Sequence, residues 1–234
     1  MKEFLIFASL VIAASVQAQT PVSFRGVSYA GSGCPQGTVS TATSPDGTSL
    51  SILFDEFRAE VPQYDGNNDN DSVSTRGRPN NRNTATLAHR KCALSFTADL
   101  PPGTKADSLE ISFEARGATI LDPGVEGSFA SILVGYQGIA NSRGNPTVII
   151  NKHWRARPNP QDDNWTGVAK PLVNLNSGCS GANGKSIRFD LKNHISAEIT
   201  DGNLSRHGLL SVDSNDVTGL LKFTVRTRPC GGGR

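Results

Sequence analysis

An all-β fold of the antiparallel sandwich type is what the sequence predicts, and three observations predict it. Apolar residues recur at every second position in several separate runs, turn-forming clusters divide those runs at short intervals, and no stretch shows the three- and four-residue spacing of an amphipathic helix. A strand that alternates in this way buries one face and wets the other, which is how antiparallel sheets use their strands. Roughly ten candidate strands then favour two packed sheets, of jelly-roll or immunoglobulin-like kind, with a closed barrel as the alternative.

Leu50, Ile52 and Phe54 point one way, Ser49 and Ser51 the other. The pattern returns in Cys92, Leu94, Phe96, Ala98 and Leu100 against Ser95, Thr97 and Asp99, and in Leu109, Ile111, Phe113 and Ala115 against Glu110, Ser112 and Glu114. Ile187, Phe189 and Leu191 follow, then Leu221, Phe223 and Val225 against Lys222, Thr224 and Arg226. Ser44-Pro45-Asp46-Gly47 separates residues 38–43 from 48–55 and predicts a hairpin. Leu121-Asp122-Pro123-Gly124 and Asp213-Ser214-Asn215-Asp216 divide later strands. Residues 62–89, crowded with Asn, Asp, Gly, Ser and Arg, and residues 155–164, rich in Pro, Asn and Asp, are expected to be loops.

Residues 1–18 carry Lys2, an apolar run from Phe4 to Val16 and the small-residue end Val16-Gln17-Ala18. That order is a removable secretory signal peptide, and the run is short of the roughly 20 residues a membrane helix needs. Residues 19–234 are then expected to form one secreted domain, extracellular, or periplasmic or cell-surface if the source is bacterial. No later stretch approaches membrane-spanning length, so no membrane insertion is expected. The formal net charge is +2, with or without Lys2 and Glu3. Nucleic acid binding calls for a far more basic chain. Local basic clusters at Arg76, Arg78, Arg82, Arg90 and Lys91, at Arg155 and Arg157, and at Arg226 and Arg228 read as solvated polar faces.

The four cysteines, Cys34, Cys92, Cys179 and Cys230, are too far apart for a CxxC redox pair or zinc-ligand pairs, and export makes two disulfides the natural reading. Three connectivities are open. Cys34 with Cys92 and Cys179 with Cys230 is the pairing that staples each half of the chain.

Chemistry is less legible. Asp65, Asn67, Asp69 and Asp71 place oxygen ligands at the offsets that begin a calcium loop, but Asn70 stands where the sharp turn wants glycine and Arg76 where a closing glutamate belongs. A solvated loop is the competing reading, and no other cofactor is suggested. Asp162, Asp163 and Asn164 make a second, weaker acidic patch. Gly178-Cys179-Ser180-Gly181 only superficially resembles a nucleophile elbow. His89, His153, His194 and His207 are scattered, and no HExxH or His-x-His pair proposes a metal. Asp55 and Glu56 are adjacent, so a strand would turn them to opposite faces and they make no working pair for glycoside hydrolysis. Trp154 and Trp165, with Tyr136, suggest a sugar-stacking platform, against which stands simple filling of the core. Sequons occur at Asn70, Asn164 and Asn203.

Taken together, GSGCPQGTVS at 31–40, SPDGTSLSILFDEF at 44–57 and RKCALSFTADLPPG at 90–103 resemble the secreted family catalogued as domain of unknown function 4360, found in fungi and bacteria. The likeness continues through RGATILDPGVEGS at 116–128, the loop around Cys179, GLLSVDS at 208–214 and the end near Cys230. It implies a small, exported, cysteine-bridged protein with the four cysteines on the family's positions. It assigns no activity and no catalytic residue. Residues 66–88 look longer than the family expects there. Absence of short catalytic signatures favours a non-catalytic binding or surface-associated module for extracellular polysaccharide, a cell-surface component or protein. An extracellular hydrolase assembled from scattered Asp, Glu and His is the alternative.

Overall fold

The computed structural model describes residues 22–45, 47, 49–55, 57–64, 84–137, 146–156, 158–175, 177–212 and 221–231. The signal peptide over 1–18, the oxygen-ligand series Asp65, Asn67, Asp69 and Asp71, the Asn70 sequon and the 213–216 turn lie outside these residues.

In chain order the strands are β1 (Ser23–Ala30), β2 (Val39–Thr43), β3 (Ser49–Phe54), β4 (Phe57–Val61), β5 (Gln63–Tyr64), β6 (Thr84–Ala85), β7 (Leu87–Leu100), β8 (Thr104–Leu121), β9 (Val125–Gln137), β10 (Thr147–Arg155), β11 (Gln161–Ala169), β12 (Leu172–Asn174), β13 (Lys185–Ile199), β14 (Gly208–Val212) and β15 (Leu221–Pro229). No helix occurs among the described residues. Five strands form one antiparallel sheet in the order β1-β7-β13-β9-β10. Eight form the other, with β2-β3-β15-β8-β14-β4 in line and β11 and β12 also paired to the long β8. Strands β5 and β6 pair separately. The two sheets are distinct hydrogen-bonded units, so the architecture is the expected sandwich and not the closed barrel.

Alternation decides which residues meet between the sheets. Leu94, Phe96, Ala98 and Leu100 of β7 and Ile187, Phe189 and Leu191 of β13 are buried, and so are Leu109, Ile111 and Phe113 of β8 and Phe223 and Val225 of β15. Aromatic rings bridge the layers. Phe96 lies 4.5 Å from Phe223 by ring centroid, and Phe129 of β9 lies 5.7 Å from Phe113 and 6.1 Å from Phe57. Such ring pairs add to the stabilisation that burial of their area already gives.

The 44–47 turn forms as expected. Ser44 N–H donates to the Ser49 carbonyl at 2.9 Å, Gly47 N–H to the Ser44 carbonyl at 2.8 Å, and β2 and β3 pair from Val39 opposite Phe54 to Thr43 opposite Leu50. The turn at 121–124 instead carries the chain from one sheet to the other, because β8 and β9 belong to different layers.

Both expected loops need correction. Residues 161–164 are strand: Gln161 to Asn164 pair with Leu121 to Ala118 of β8, and Asp162, Asp163 and Asn164 all face water. An edge strand tolerates polar residues that composition alone assigns to a loop. Likewise β4 precedes Pro62, β5 and β6 pair across the intervening segment, and β7 already begins at Leu87, so residues 87–89 are strand and not loop.

The disulfides join Cys34 to Cys92 and Cys179 to Cys230. The first pins the 31–34 loop to β7, and the second pins the end of β15 to the segment after β12. In the chain-entropy description each closes a loop worth about 4 kcal/mol. Replacing Cys179 and Cys230 together by serine should therefore lower stability by about 2–4 kcal/mol, read as a lower denaturant midpoint with a slope that is unchanged or steeper because the unfolded chain expands; an unchanged midpoint would refute the bracing role.

Asn193 of β13 faces inward, opposite Ser131 of β9, and both are buried. Neither amide atom of Asn193, nor the Ser131 hydroxyl, meets a hydrogen-bond partner among the described residues. A buried polar group left in this state costs about 1–3 kcal/mol, whereas an apolar replacement of like shape does not. Ser131→Ala and Asn193→Leu should each leave the thermal midpoint unchanged or raise it; a drop of several degrees in both would contradict this account.

Candidate functional site

The outward face of the five-stranded sheet is where small and charged side chains gather. Its geometry starts with an irregularity in the edge strand β1. Arg25 pairs with Thr97 and Ser28 with Ser95, so Gly26 and Val27 together stand opposite Phe96, and Gly26 takes the left-handed φ of 63° that glycine accepts readily. Without the extra residue, plain alternation would turn Ser28 and Ala30 inward. With it, Ser28 and Ala30 lie beside Ser95 and Ala93 of β7 on the outer face.

These four small residues form the floor of a shallow trough of about 390 Å³. Arg188, Asp190 and Lys192 of β13 line its other side. The polar groups are ordered by one another: the Arg188 guanidinium donates to Asp190 Oδ1 and to Ser95 Oγ, each at 3.1 Å, and Ser28 Oγ and Ser95 Oγ are 2.8 Å apart. Beyond them Arg25 pairs with Asp99, which also accepts from Ser186 Oγ. The Arg25 hydrogen bond chiefly holds the Asp99 carboxyl below its ordinary range.

A second depression of about 350 Å³ continues from the first, sharing Ala30, Ala93 and Lys192 and adding Gly31, Lys91 and His194. Gly31 belongs there for a steric reason, since a β-carbon would come within 2.1 Å of the Lys91 carbonyl oxygen. That close approach lets Gly33 N–H donate to the same carbonyl at 2.8 Å, while the Cys34–Cys92 bond holds the loop down.

Two of the four histidines meet on this face. His194 is the direct cross-strand partner of Lys91, and His89 stands diagonally, its Nε2 3.4 Å from His194 Nδ1 with the rings stacked at 5.5 Å and 20°. Burial, and after it the neighbouring His89, Lys91 and Lys192, pushes the His194 pKa down. On β9, the strand at its other side, the facing positions are Ala130 and Ile132, which carry no charge. Nothing in sequence spacing signals this pair, because His89 and His194 are 105 residues apart.

The remaining candidates do not join this pair. His153 of β10 is on the same outer face, opposite Ser128 of β9 and three strands from His89, and His207 is at the β14 end, where its backbone N–H donates to Asp122 Oδ2 at 2.7 Å. Ser180 is buried, donating its hydroxyl to the Pro101 carbonyl at 2.7 Å and accepting from Thr104 N–H at 3.0 Å, so it braces a loop next to the Cys179 disulfide. Trp154 and Trp165 pack on each other at 5.1 Å, Trp165 packs on Phe129 at 5.7 Å, and the pair are only 9% and 6% exposed. Lys152 Nζ sits 5.3 Å from the Trp165 ring centroid. Almost no ring face is left open for a sugar, and Tyr136 lies apart from them against Phe189. Core filling is what these tryptophans do. Asn164 and Asn203 are both exposed, and Asn203 Oδ1 accepts from the Ser205 hydroxyl at 2.7 Å. Among the described residues no group of three or more His, Cys, Asp or Glu is placed to hold a metal ion.

Because the fold disfavours protonated His194, this residue subtracts nothing from stability above its ordinary value of 6.5 and destabilises the fold progressively as pH falls below it. Between pH 7 and 5.5, above the range in which the carboxylates titrate, His194→Gln should lose less thermal stability than the parent protein. Parallel losses in the two proteins would remove His194 as the cause.

Comparison with known proteins agrees with the exported reading. An "Uncharacterized secreted protein" of Arthroderma benhamiae is 27% identical over 209 residues, spanning 89% of this chain and 72% of that protein. A secreted location fits both this relative and the two disulfides. Among solved structures, TmCBM61 in complex with β-1,4-galactotriose aligns over 86% of this chain and 90% of its own, at 10% identity and a TM-score of 0.28, a level at which the likeness carries no functional argument. Residues 20–73 match the family described as Domain of unknown function (DUF4360), the family that the GSGCPQGTVS and SPDGTSLSILFDEF blocks resemble.

Proposed function

We propose that the protein is a secreted binding module which holds an extended polysaccharide along the outer face of its five-stranded sheet. The observation that carries this reading is the trough across β1, β7 and β13, floored by Ser28, Ala30, Ala93 and Ser95 and edged by the Arg188–Asp190 pair. Sugars present hydroxyls that both donate and accept. Serine hydroxyls, a guanidinium and a carboxylate held in fixed geometry supply both kinds of partner, and the alanines let the chain approach the sheet closely.

Binding fits this surface better than hydrolysis does. Cleavage of a glycoside takes two carboxylates flanking the bond. Asp190 is the carboxylate among the residues lining the trough, and Arg188 engages it.

Ala93→Arg tests the reading, because Ala93 is exposed and an arginine there fills the trough without entering the core. The purified protein should be retained on at least one member of a panel of soluble and insoluble polysaccharides, and Ala93→Arg should weaken that retention at least tenfold at an unchanged melting temperature. Undiminished retention of the variant would place binding elsewhere; retention of the parent on no member of the panel would sink the proposal.

A further inference from the structure

Building on the binding reading above, we infer that the trough selects an acidic polysaccharide, whose carboxylate or sulfate groups are held by Lys91 and Lys192 beside the His89–His194 pair. Lys91 and Lys192 stand close together, with no carboxylate directly opposite either of them on β7, β13 or β9. Lys91 and His194 are directly opposite across β7 and β13, and Lys192 is one outward position away on β13. Neighbouring strands stand about 5 Å apart and successive outward positions along a strand about 7 Å apart, so these side chains reach a common space.

Like charges placed side by side on a sheet face destabilise it. The nearby carboxylates do not relieve them, since Asp190 is engaged by Arg188 and Asp99 by Arg25. Among the described residues neither Lys91 nor Lys192 has a carboxylate within ion-pair distance. Across β13, Ala130 and Ile132 of β9 are uncharged. An arrangement that repels itself in the free protein becomes favourable once an anion enters, and the depression of about 350 Å³ lined by Lys91, Lys192 and His194 is open to receive one. The adjoining trough of serines and the Arg188–Asp190 pair lies in line with it, so one chain could place acidic groups on the lysines and hydroxyls on the serines. The +2 net charge of the whole molecule is small, which makes this a local feature and not a generally cationic surface.

Titration calorimetry on the purified protein, with polygalacturonate, its fully methyl-esterified form, dextran sulfate, dextran and a random-sequence DNA duplex, tests the inference. At least one of the two acidic polysaccharides should bind tenfold or more tightly than its neutral counterpart, and weaken as salt is raised from 50 to 500 mM. Preference for polygalacturonate would identify carboxylate as the group recognised, and preference for dextran sulfate would identify sulfate. Lys91→Gln with Lys192→Gln should lose at least tenfold in affinity for the acidic polymer at an unchanged or raised melting temperature, since it relieves the repulsion, and Lys91→Arg with Lys192→Arg should keep most of the affinity at an unchanged one. Equal affinity for charged and neutral forms would overturn the acidic preference while leaving the trough as a polysaccharide site. Equal affinity for DNA would show a generic polyanion surface and overturn the assignment to sugar. Binding to none of these probes, nor to any neutral polysaccharide, would instead defeat the parent reading.

Discussion

Contact between the inward faces of the two sheets is the constraint on which the rest of the molecule depends. Phe96 resting on Phe223, and Phe129 wedged among Phe57, Phe113 and Trp165, fix the separation and alignment of the layers. Once those positions are committed to the interior, the two-residue period sends every other side chain outward. The outer face is thereby released from packing and can carry small, hydroxylated or charged residues without loosening the core. The binding proposed above would draw on positions that the core does not need.

That division explains what could be read from sequence and what could not. Runs such as Leu94, Phe96, Ala98 and Leu100 declare their strands because burial imposes a period on residue type. The hairpin at 44–47 was equally plain, since its turn chemistry is local. Edge strand β11 was hidden: Gln161, Asp162, Asp163 and Asn164 look like loop, and only the ladder to β8 makes them strand. Composition cannot anticipate a hydrogen-bond partner forty or more residues away.

The candidate site was less visible still, for two physical reasons. One is register: the extra residue at Gly26 reverses the facing of Ser28 and Ala30, and no pattern in β1 alone announces it. The other is that His89, Lys91, Lys192 and His194 become neighbours only through the long pairing of β7 with β13. The tryptophans were open to two readings in the sequence, a sugar-stacking platform or filling of the core, and the sandwich uses them as interior wedges.

Strand β13 is hydrogen-bonded along nearly its whole length to β7 on one side and β9 on the other. Arg188, Asp190, Lys192 and His194 are thus rooted in the middle of a sheet, where backbone motion is smallest. Along the described strands a face rooted in this way is shaped before any partner arrives, so the capture proposed above would sacrifice little backbone freedom.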